Sequence, residues 1–526
     1  MLDKIDKIAI IFFLLSIILL GIISYENLKY EATTNPDFLQ NIFFSKLLAD
    51  TGSLKYCNQY NLDYNTFIFG SRGFKLTTDP HCLTHGSMHG FIIILGILRV
   101  ISDKIIYFIV PFFAVIALVF FYKLCNLFFT KEISLIGIAL LLFSSSFFFH
   151  SVILVNNIPA MSFLTLTLYY FLRAFKDRKE KDLILCSIFA GIMMWIRYEF
   201  VIFLLPLVVP FLRKKDRGKF RIKNFVLPFI IFFIFLAGLY WVNLELYGGL
   251  FNFKGTEETR LASSEYYGKE VSTYKILSFL PPFSPSLYFE NFLRFVVNFN
   301  PFIFIFFLFS ILFLLGHKQK RNKIFFNNSF WILISIFIIP IVFYLGSVWS
   351  EKEYIVATAY SRYLLPTYSM MVLFSLFLIK KLNKKLLMFC VFIFLLFNIS
   401  ISFNSPGALK DFNLSQKTFI DKQKDILKNI PEENAVVFTA YFDKYIFPKR
   451  TTAIYTSFPE NERINKTTSI ILNLTEDNVP TYFLNEDWGI GHYTKFKSEE
   501  YFNVFKENGL VVKRITRSIF KIEKQD

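Results

Sequence analysis

A single carboxylate, Asp37, lies in the stretch TTNPDFLQNIFF (33–44), soon after the first long apolar run of the chain (8–24). Because Asn35-Pro36 precedes it, Asp37 is expected at or near the start of a helix, where the helix dipole stabilises an anion. One interpretation is that Asp37 only caps this helix. The other is that a carboxylate at the membrane face acts as a catalytic base.

The residues after Asp37 predict that helix. Apolar side chains occupy positions 38, 39, 42, 43, 44, 47 and 48, with Lys46 and Asp50 between them and Gly52 after them. Such spacing is typical of an amphipathic helix that lies on a membrane surface, and the glycine is a stop signal.

Half of the six histidines fall in TTDPHCLTHGSMHGF, as His81, His85 and His89 beside Asp79. His85 and His89 are four residues apart, so a helix would bring both to one face, as a metal site requires. The intervening Gly86 weakens that helix. We therefore expect a polar loop that faces a substrate, with metal ligation and a loop without a direct role as alternatives.

Two pairs of residues could handle an anion at the membrane edge. Arg362 and Tyr363 lie at the predicted outer mouth of a span, where an arginine either snorkels to the interface or binds a lipid-linked phosphate through its planar fork. Arg197 and Glu199, in WIRYEF, lie at a predicted outer turn. They either form an ion pair or line the same cavity.

The segment 244–293 contains a glycine pair and a long polar run that includes Tyr266. It predicts a mobile loop over a site, with a plain solvated loop as the alternative. The candidate catalytic residue is thus Asp37. The candidate residues for binding a phosphate or substrate are Arg362, Tyr363, Arg72, Asp79, His85, His89, Arg197, Glu199 and Tyr266.

The elements that must position these residues are membrane spans. Of the 526 residues, 54% are hydrophobic and 70 are Phe, and the mean hydropathy is +0.46. The apolar residues form repeated runs of roughly 17–22, long enough to cross the hydrocarbon core of a bilayer. This pattern predicts a polytopic α-helical membrane protein. Because no signal-peptidase pattern follows the first run, we expect it to be retained as a span.

The formal charge of +17 raises the question of nucleic acid binding. Its distribution argues against this, because Lys and Arg cluster in short segments between apolar runs (173–182, 213–223, 317–323 and 380–385). Such clusters mark cytoplasmic loops near anionic lipid. No aromatic and basic platform for single strands accompanies them, so we expect no nucleic acid partner.

About 11 spans can be assigned from run length. They begin near residues 8, 105, 133, 158, 183, 199, 224, 294, 329, 363 and 386. With the N-terminus in the cytoplasm, every basic cluster falls on the cytoplasmic side. The apolar segment 88–102 is too short to span and would invert this order, so we expect an interfacial or re-entrant helix in the first outer loop (25–104).

An odd number of spans places the C-terminal region outside the cytoplasm. We divide the chain into a transmembrane catalytic domain (1–403) and a soluble extracytoplasmic α/β domain (404–526). In the latter, 414–430 predicts a helix, and NAVVFTA, TSIILNL and VPTYFL predict buried strands. The stretch 498–515 predicts a helix, a glycine stop and a strand.

Cys57 and Cys82 both lie in the first outer loop, where a disulfide can persist. The sequence leaves open whether they pair or remain two free thiols. Cys125, Cys186 and Cys390 lie in or near spans and are expected to be ordinary core residues.

The order of these segments resembles membrane glycosyltransferases of the GT-C fold, and within them the protein O-mannosyltransferase and aminoarabinose transferase group. One span followed by an acid that opens a juxtamembrane helix carries this resemblance, together with NNIPAMSFLTLTLYYFLRAFKDRK (156–179), AGIMMWIRYEFVIFLLPLVVPFL (190–212) and SRYLLPTYSMMVLF (361–374). It covers roughly residues 8–400. No single motif is specific, so their order and spacing carry the case.

The resemblance implies transfer of a sugar from a polyprenyl-phosphate donor to a lipid, glycan or protein acceptor on the outer membrane face. Asp37 matches the position of the family's catalytic base, while Phe38 stands where many relatives have a second acid. Arg362 would stabilise the departing phosphate. We expect no organic cofactor, and a divalent metal such as Mg²⁺ or Mn²⁺ stays open.

Three other classes of function are alternatives. A transporter or lipid flippase predicts internal repeats and charged residues at mid-membrane, whereas here the polar residues lie at span ends. An enzyme that transfers a whole oligosaccharide is less favoured than single-sugar transfer, because the chain contains no tryptophan-rich motif. A scaffold that only displays the C-terminal domain is the remaining alternative.

Overall fold

The structure is a computed structural model that describes residues 3–29, 36–86, 88–208, 223–249, 285–316, 324–345, 356, 358–440, 442–458, 461–485 and 498–525. Most of these residues are helical. Helices α1 to α9 comprise Lys4–Leu28, Pro36–Thr51, Gln59–Asp63, His89–Ile101, Ile106–Cys125, Lys131–Leu142, Ser145–His150, Asn157–Asp177 and Glu180–Ile196. A 3₁₀ helix, Tyr198–Val208, follows α9 directly.

The second half of the helical body runs from α10 to α17. These helices comprise Lys223–Tyr247, Pro285–Phe292, Pro301–Gly316, Ile324–Tyr344, Ala359–Tyr363, Leu365–Ile379, Lys384–Asn404 and Leu409–Lys428. A π-helical turn, Leu293–Asn298, joins α11 to α12. Each predicted span start falls on one of the helical segments of this body.

Membrane character is evident from the length and surface of these helices. Among the described residues, five helices are long and apolar enough to cross a bilayer, or up to six if the pair bent by 97° around Asn298 counts as one span. The other predicted spans are shorter helices, and the count of about 11 stays a prediction. Large apolar side chains such as Leu15, Phe233 and Trp241 are exposed on the long helices, as a lipid-facing surface requires.

Helix α2 begins at Pro36 with Asp37 in its first turn and ends at Thr51, and the Gly52 that follows has a φ of +72°, which suits glycine. Residues 38–42, 44 and 45 are buried, so the first half of the helix is enclosed, whereas Lys46 and Asp50 in the second half are exposed. The predicted position of α2 on the membrane surface stays a prediction. The apolar segment 88–102 forms the 13-residue helix α4, which packs against α2.

The first loop also contains a small antiparallel sheet of β1 (Tyr56–Cys57), β2 (Lys75–Leu76) and β3 (Cys82–Thr84). Cys57 and Cys82 face each other in this sheet and form a disulfide, which decides between the two alternatives left open by the sequence. Free Cys125 and Cys186 are buried, as expected of core residues.

The C-terminal sheet has five strands in the order β5-β4-β6-β8-β7. The strands β4 to β8 comprise Val436–Thr439, Thr451–Ile454, Thr481–Leu484, Leu510–Arg514 and Ile519–Lys524. Helices α18 to α20 comprise Asp443–Ile446, Arg463–Glu476 and Ser498–Glu507. The first three strands are parallel, and β8 and β7 close the sheet antiparallel.

Most of the elements predicted here are confirmed, including α17, the strands in NAVVFTA and VPTYFL, and the order helix, glycine, strand after 498. The strand predicted in TSIILNL (468–474) is wrong, because this stretch lies inside α19. The buried positions are Arg463, Thr467, Thr468, Ile470, Ile471 and Leu474, and most of them are spaced by three or four residues, as on one face of a helix. The β-branched residues suggested a strand, but the buried face decided the structure.

The C-terminal sheet is joined to the first loop. Phe69 pairs antiparallel with Ala453, so the loop extends the sheet beyond its edge strand β5. Asp443, whose side chain is fully buried, accepts hydrogen bonds from the hydroxyl of Ser71 and from the backbone N–H and Nε of Arg72. The sheet therefore packs directly on the loop that continues from α2.

Candidate functional site

Asp37 is held at one end of α2, and the rest of that end is buried. The Asn41 side chain donates to the carbonyl of Leu154 at 3.2 Å, and the Gln40 side chain accepts from the N–H of Gly86 at 2.6 Å. The Asp37 side chain itself remains 45% exposed. A rigidly held helix end with one accessible carboxylate suits a group that meets a ligand.

The position of Arg362 depends on an interruption between two helices. The hydroxyl of Thr358 caps the five-residue helix α14 by accepting from the N–H of Ser361. The helix ends at Leu364, because Pro366 in the first turn of α15 cannot donate a backbone hydrogen bond to continue it. Arg362 thus lies near the end of a short helix that Leu364 separates from α15.

Asp37 and Arg362 meet in the structure although 325 residues separate them in sequence. Arg362 Nη1 donates to Asp37 Oδ2 at 3.1 Å. Arg362 is the more buried partner, with 19% of its side chain exposed against 45% for Asp37. The sequence proposed both residues for one site, and the fold brings them into direct contact.

A second arginine–carboxylate pair adjoins the first. Arg197 caps the end of α9 in an extended backbone conformation, and its Nε lies 3.5 Å from Glu199 at the start of the 3₁₀ helix. The Arg197 guanidinium lies over the Tyr363 ring at 4.7 Å from the centroid, and that of Arg362 lies 5.2 Å from the same centroid. Tyr344 stacks on Tyr363 at 4.6 Å. One aromatic ring therefore orients two cations.

The surroundings keep both cations charged. Burial by itself would lower the pKa of Arg362, but neighbouring Tyr363 and Asp37 outweigh it and raise this pKa above its ordinary value. Burial likewise opposes the charge of Arg197, while Glu199, Tyr363 and Tyr344 raise its pKa. A fixed cluster of two guanidinium groups presents a ready surface for phosphate oxygens.

Sequence reasoning missed three polar residues beside this cluster. His150, only 1% exposed, places Nε2 3.1 Å from the hydroxyl of Ser361, next to Arg362. Asn157 donates to the backbone carbonyl of Arg362 at 3.4 Å. A lone histidine in the apolar stretch SSSFFFHSV was the one available signal.

His85 and His89 form a separate buried pair. His85 precedes α4, which begins at His89, so no single helix contains both residues, and their ring nitrogens Nε2 and Nδ1 lie 3.2 Å apart. His89 Nε2 also lies 2.6 Å from Asn243 Oδ1, and Tyr247 donates to the backbone carbonyl of His85. In the part of the chain that the structure describes, no three His, Cys, Asp or Glu residues are grouped to hold a metal ion.

The remaining candidates lie elsewhere. Arg72 forms an ion pair with Asp443 at 2.8 Å, under the C-terminal sheet. Asp79 is exposed and accepts from the backbone N–H of His81 in a turn. Tyr266 lies outside the described residues. The structure thus brings together Asp37, Arg362, Tyr363, Arg197 and Glu199.

This fold is similar to those of known membrane glycosyltransferases. A family model described as dolichyl-phosphate-mannose-protein mannosyltransferase matches residues 85–241. ArnT from Cupriavidus metallidurans, solved bound to undecaprenyl phosphate, is similar at a TM-score of 0.59 and 9% sequence identity, covering 97% of this chain and 97% of that chain. The protein has the GT-C glycosyltransferase fold. The resemblance to the protein O-mannosyltransferase and ArnT type is thereby confirmed.

A second GT-C structure is similar over most of the chain. The Archaeoglobus fulgidus oligosaccharyltransferase in its apo form gives a TM-score of 0.51 at 12% identity, covering 90% of this chain and 70% of that chain. No curated protein matches by sequence. At these identities the structural likeness establishes the GT-C fold, and the family match adds support for a glycosyltransferase.

Proposed function

We propose that this GT-C protein transfers a sugar from a polyprenyl-phosphate-linked donor to a lipid, glycan or protein acceptor on the outer membrane face, with Asp37 as the general base. One observation carries the proposal: an accessible carboxylate lies 3.1 Å from an arginine that shares its tyrosine ring with a second arginine. This arrangement supports the assignment of a base beside a pair of arginines that binds phosphate. The undecaprenyl phosphate in the ArnT structure supports the donor class.

The chemistry follows from the charges. Asp37 takes the proton of the acceptor hydroxyl as the acceptor oxygen bonds to C1 of the sugar. The bond between C1 and the phosphate oxygen breaks, and its electron pair leaves with the polyprenyl phosphate. Arg362 and Arg197 stabilise the negative charge that grows on that phosphate. The lipid tail confines the donor to the membrane and so raises its local concentration at the site.

Substitution Asp37→Asn tests the role of Asp37. With purified protein in lipid nanodiscs and a radiolabelled polyprenyl-phosphate sugar, transfer should fall about 100-fold or more, because the amide cannot accept the proton. Asp50→Asn is the matched control, since Asp50 is an exposed acid on the same helix and should leave transfer unchanged.

Near-normal transfer by Asp37→Asn would remove Asp37 from the role of base. Activity only with a polyprenyl-linked oligosaccharide would favour the related oligosaccharyltransferase chemistry over single-sugar transfer. Failure of the wild-type protein with every polyprenyl-phosphate donor would contradict the proposed donor class.

A further inference from the structure

The two arginines and two carboxylates around Tyr363 form a charge-balanced cluster. Arg362 pairs with Asp37 and Arg197 pairs with Glu199. If the phosphate binds to Arg362, it must compete with an anion that the protein already supplies. The proposed base and the phosphate site are therefore not independent.

The two pairs differ in how readily they can separate. Arg197 is 4% exposed and Glu199 22% exposed, whereas Arg362 is 19% and Asp37 45% exposed. Glu199 follows Arg197 by two residues, so their contact is local, while Arg362 and Asp37 come from distant helices. Solvent weakens an exposed pair more than a buried one. Arg362 is thus the arginine that can change its partner, and Arg197 is the fixed one.

The hydrogen bond from Arg362 also engages Asp37, the proposed base. Arg362 Nη1 donates to Asp37 Oδ2, so this oxygen is already engaged by an N–H donor. An oxygen that accepts from a guanidinium is less available to take a proton from an acceptor hydroxyl. Separation of the pair would release it.

We propose that the donor phosphate replaces Asp37 as the partner of Arg362, so that donor binding frees the base. This inference rests on the proposed function and adds an order to it: the donor binds before the acceptor can be activated. Arg197, held by Glu199 and Tyr363, provides the second contact to the phosphate and keeps its position throughout.

The same exchange of partners returns the site to its starting state after transfer. Transfer leaves a proton on Asp37 and a polyprenyl phosphate that has gained the electron pair of the broken bond. This more negative phosphate binds Arg362 more strongly than the donor phosphodiester does. When it departs, Arg362 returns to Asp37, and its positive charge favours loss of the proton to water. Polyprenyl phosphate should therefore inhibit by competition with the donor.

The test is the affinity for polyprenyl phosphate itself, measured by titration of the full-length protein in nanodiscs. Asp37→Asn removes the competing anion and should bind polyprenyl phosphate about three- to tenfold more tightly, even though it cannot transfer sugar. Asp50→Asn is the matched control, because Asp50 is an exposed acid on the same helix as Asp37 and lies outside the cluster. This variant should change the affinity less than twofold.

A double-mutant cycle separates partner exchange from general repulsion between two anions. In an Arg362→Met background, Asp37→Asn should no longer tighten binding, because the exchangeable cation is absent. Equal tightening in both backgrounds would overturn the exchange, as would unchanged or weaker binding by Asp37→Asn alone. Melting temperatures near that of the wild type show that each variant is folded.

The outcomes of these binding experiments distinguish the partner exchange from the proposed function on which it rests. Binding of polyprenyl phosphate by the wild-type protein without tightening in Asp37→Asn contradicts the exchange and leaves the donor class standing. No binding of polyprenyl phosphate by the wild-type protein contradicts the donor class, and the exchange with it.

Discussion

Phe38 shows how a single residue restricts the chemistry of this site. It follows Asp37 in the sequence, and its side chain is 3% exposed within the main core. An acid there would be buried among apolar groups, which is strongly unfavourable without a partner. Asp37 therefore has no acidic neighbour in sequence, and it forms an ion pair with Arg362.

Tyr363 is a positioning residue on which both arginines depend. Tyr363→Leu removes the ring and should raise the donor KM about three- to tenfold with a smaller change in kcat, because cation–π contacts are each worth about 0.5–2 kcal/mol. Tyr363→Phe keeps the ring and should stay close to the wild type. Steady-state kinetics with varied donor measures both. Equal losses in the two variants would assign the effect to the hydroxyl group instead.

At the scale of elements, the site is built from helix ends and breaks. Asp37 lies in the first turn of α2, Arg197 follows the end of α9, and Arg362 lies in the short helix α14 just before α15. A continuous helix satisfies its own backbone and presents side chains only along its length, whereas an interrupted helix can turn a charged side chain towards its neighbours. The close packing of these elements must then set the distances between the charges.

Gly90 is a point of close packing between α4 and the end of α9. A Cβ added there would lie 2.6 Å from the backbone carbon of Trp195, two residues before Arg197. Gly90→Ala should destabilise the protein by about 1–3 kcal/mol and lower transfer activity, because α4 and the end of α9 must move apart. Thermal melting in detergent, followed by the transfer assay, measures both.

Gly316→Ala is the control for Gly90→Ala, since a Cβ at Gly316 meets no atom of the described residues within 4 Å. It should melt and turn over like the wild type. If Gly90→Ala behaves in the same way as this control, close approach at Gly90 does not position the site.

At the scale of the whole molecule, the C-terminal sheet packs against the first loop and against α2, the helix that contains Asp37. Phe447, from the segment between α18 and β5, contacts Phe43 of α2 at 4.7 Å between ring centroids, and Phe74 of the first loop contacts both. Asp443 is bonded to Arg72 in the same region. The sheet thus supports the helix whose first turn contains Asp37, which gives it a structural part in the site.

Asp443→Asn tests this support. The amide leaves Arg72 without its buried carboxylate partner, and a lost charge-assisted contact of this kind costs about 1–3 kcal/mol. We expect faster proteolysis of the first loop and a lower kcat, with little change in the donor KM because the arginines at Tyr363 are untouched. Limited proteolysis and kinetics on the full chain measure the two effects.

Glu476→Gln serves as the control for Asp443→Asn. Glu476 pairs with Lys524 at the exposed side of the same sheet, where an ion pair contributes little. Matching behaviour of the two variants would show that the contact between Asp443 and Arg72 does not support α2.

The sequence by itself determined the membrane class, the helix that Asp37 opens, and most of the C-terminal helices and strands. Run length, charge position and glycine or proline stops are local properties, so they can be recognised without a fold. The sequence also proposed Asp37, Arg362, Tyr363, Arg197 and Glu199. It failed at TSIILNL, where β-branched composition favoured a strand and the buried face required a helix.

Only the tertiary structure decided which candidates meet. Asp37 and Arg362 lie 325 residues apart, and His150 reaches the same cluster from an apolar stretch. Arg72 had equal standing in the sequence, yet it pairs with Asp443 under the C-terminal sheet. Residue type and local spacing describe what a side chain can do, whereas its partner depends on long-range packing of helix ends, which no local pattern encodes.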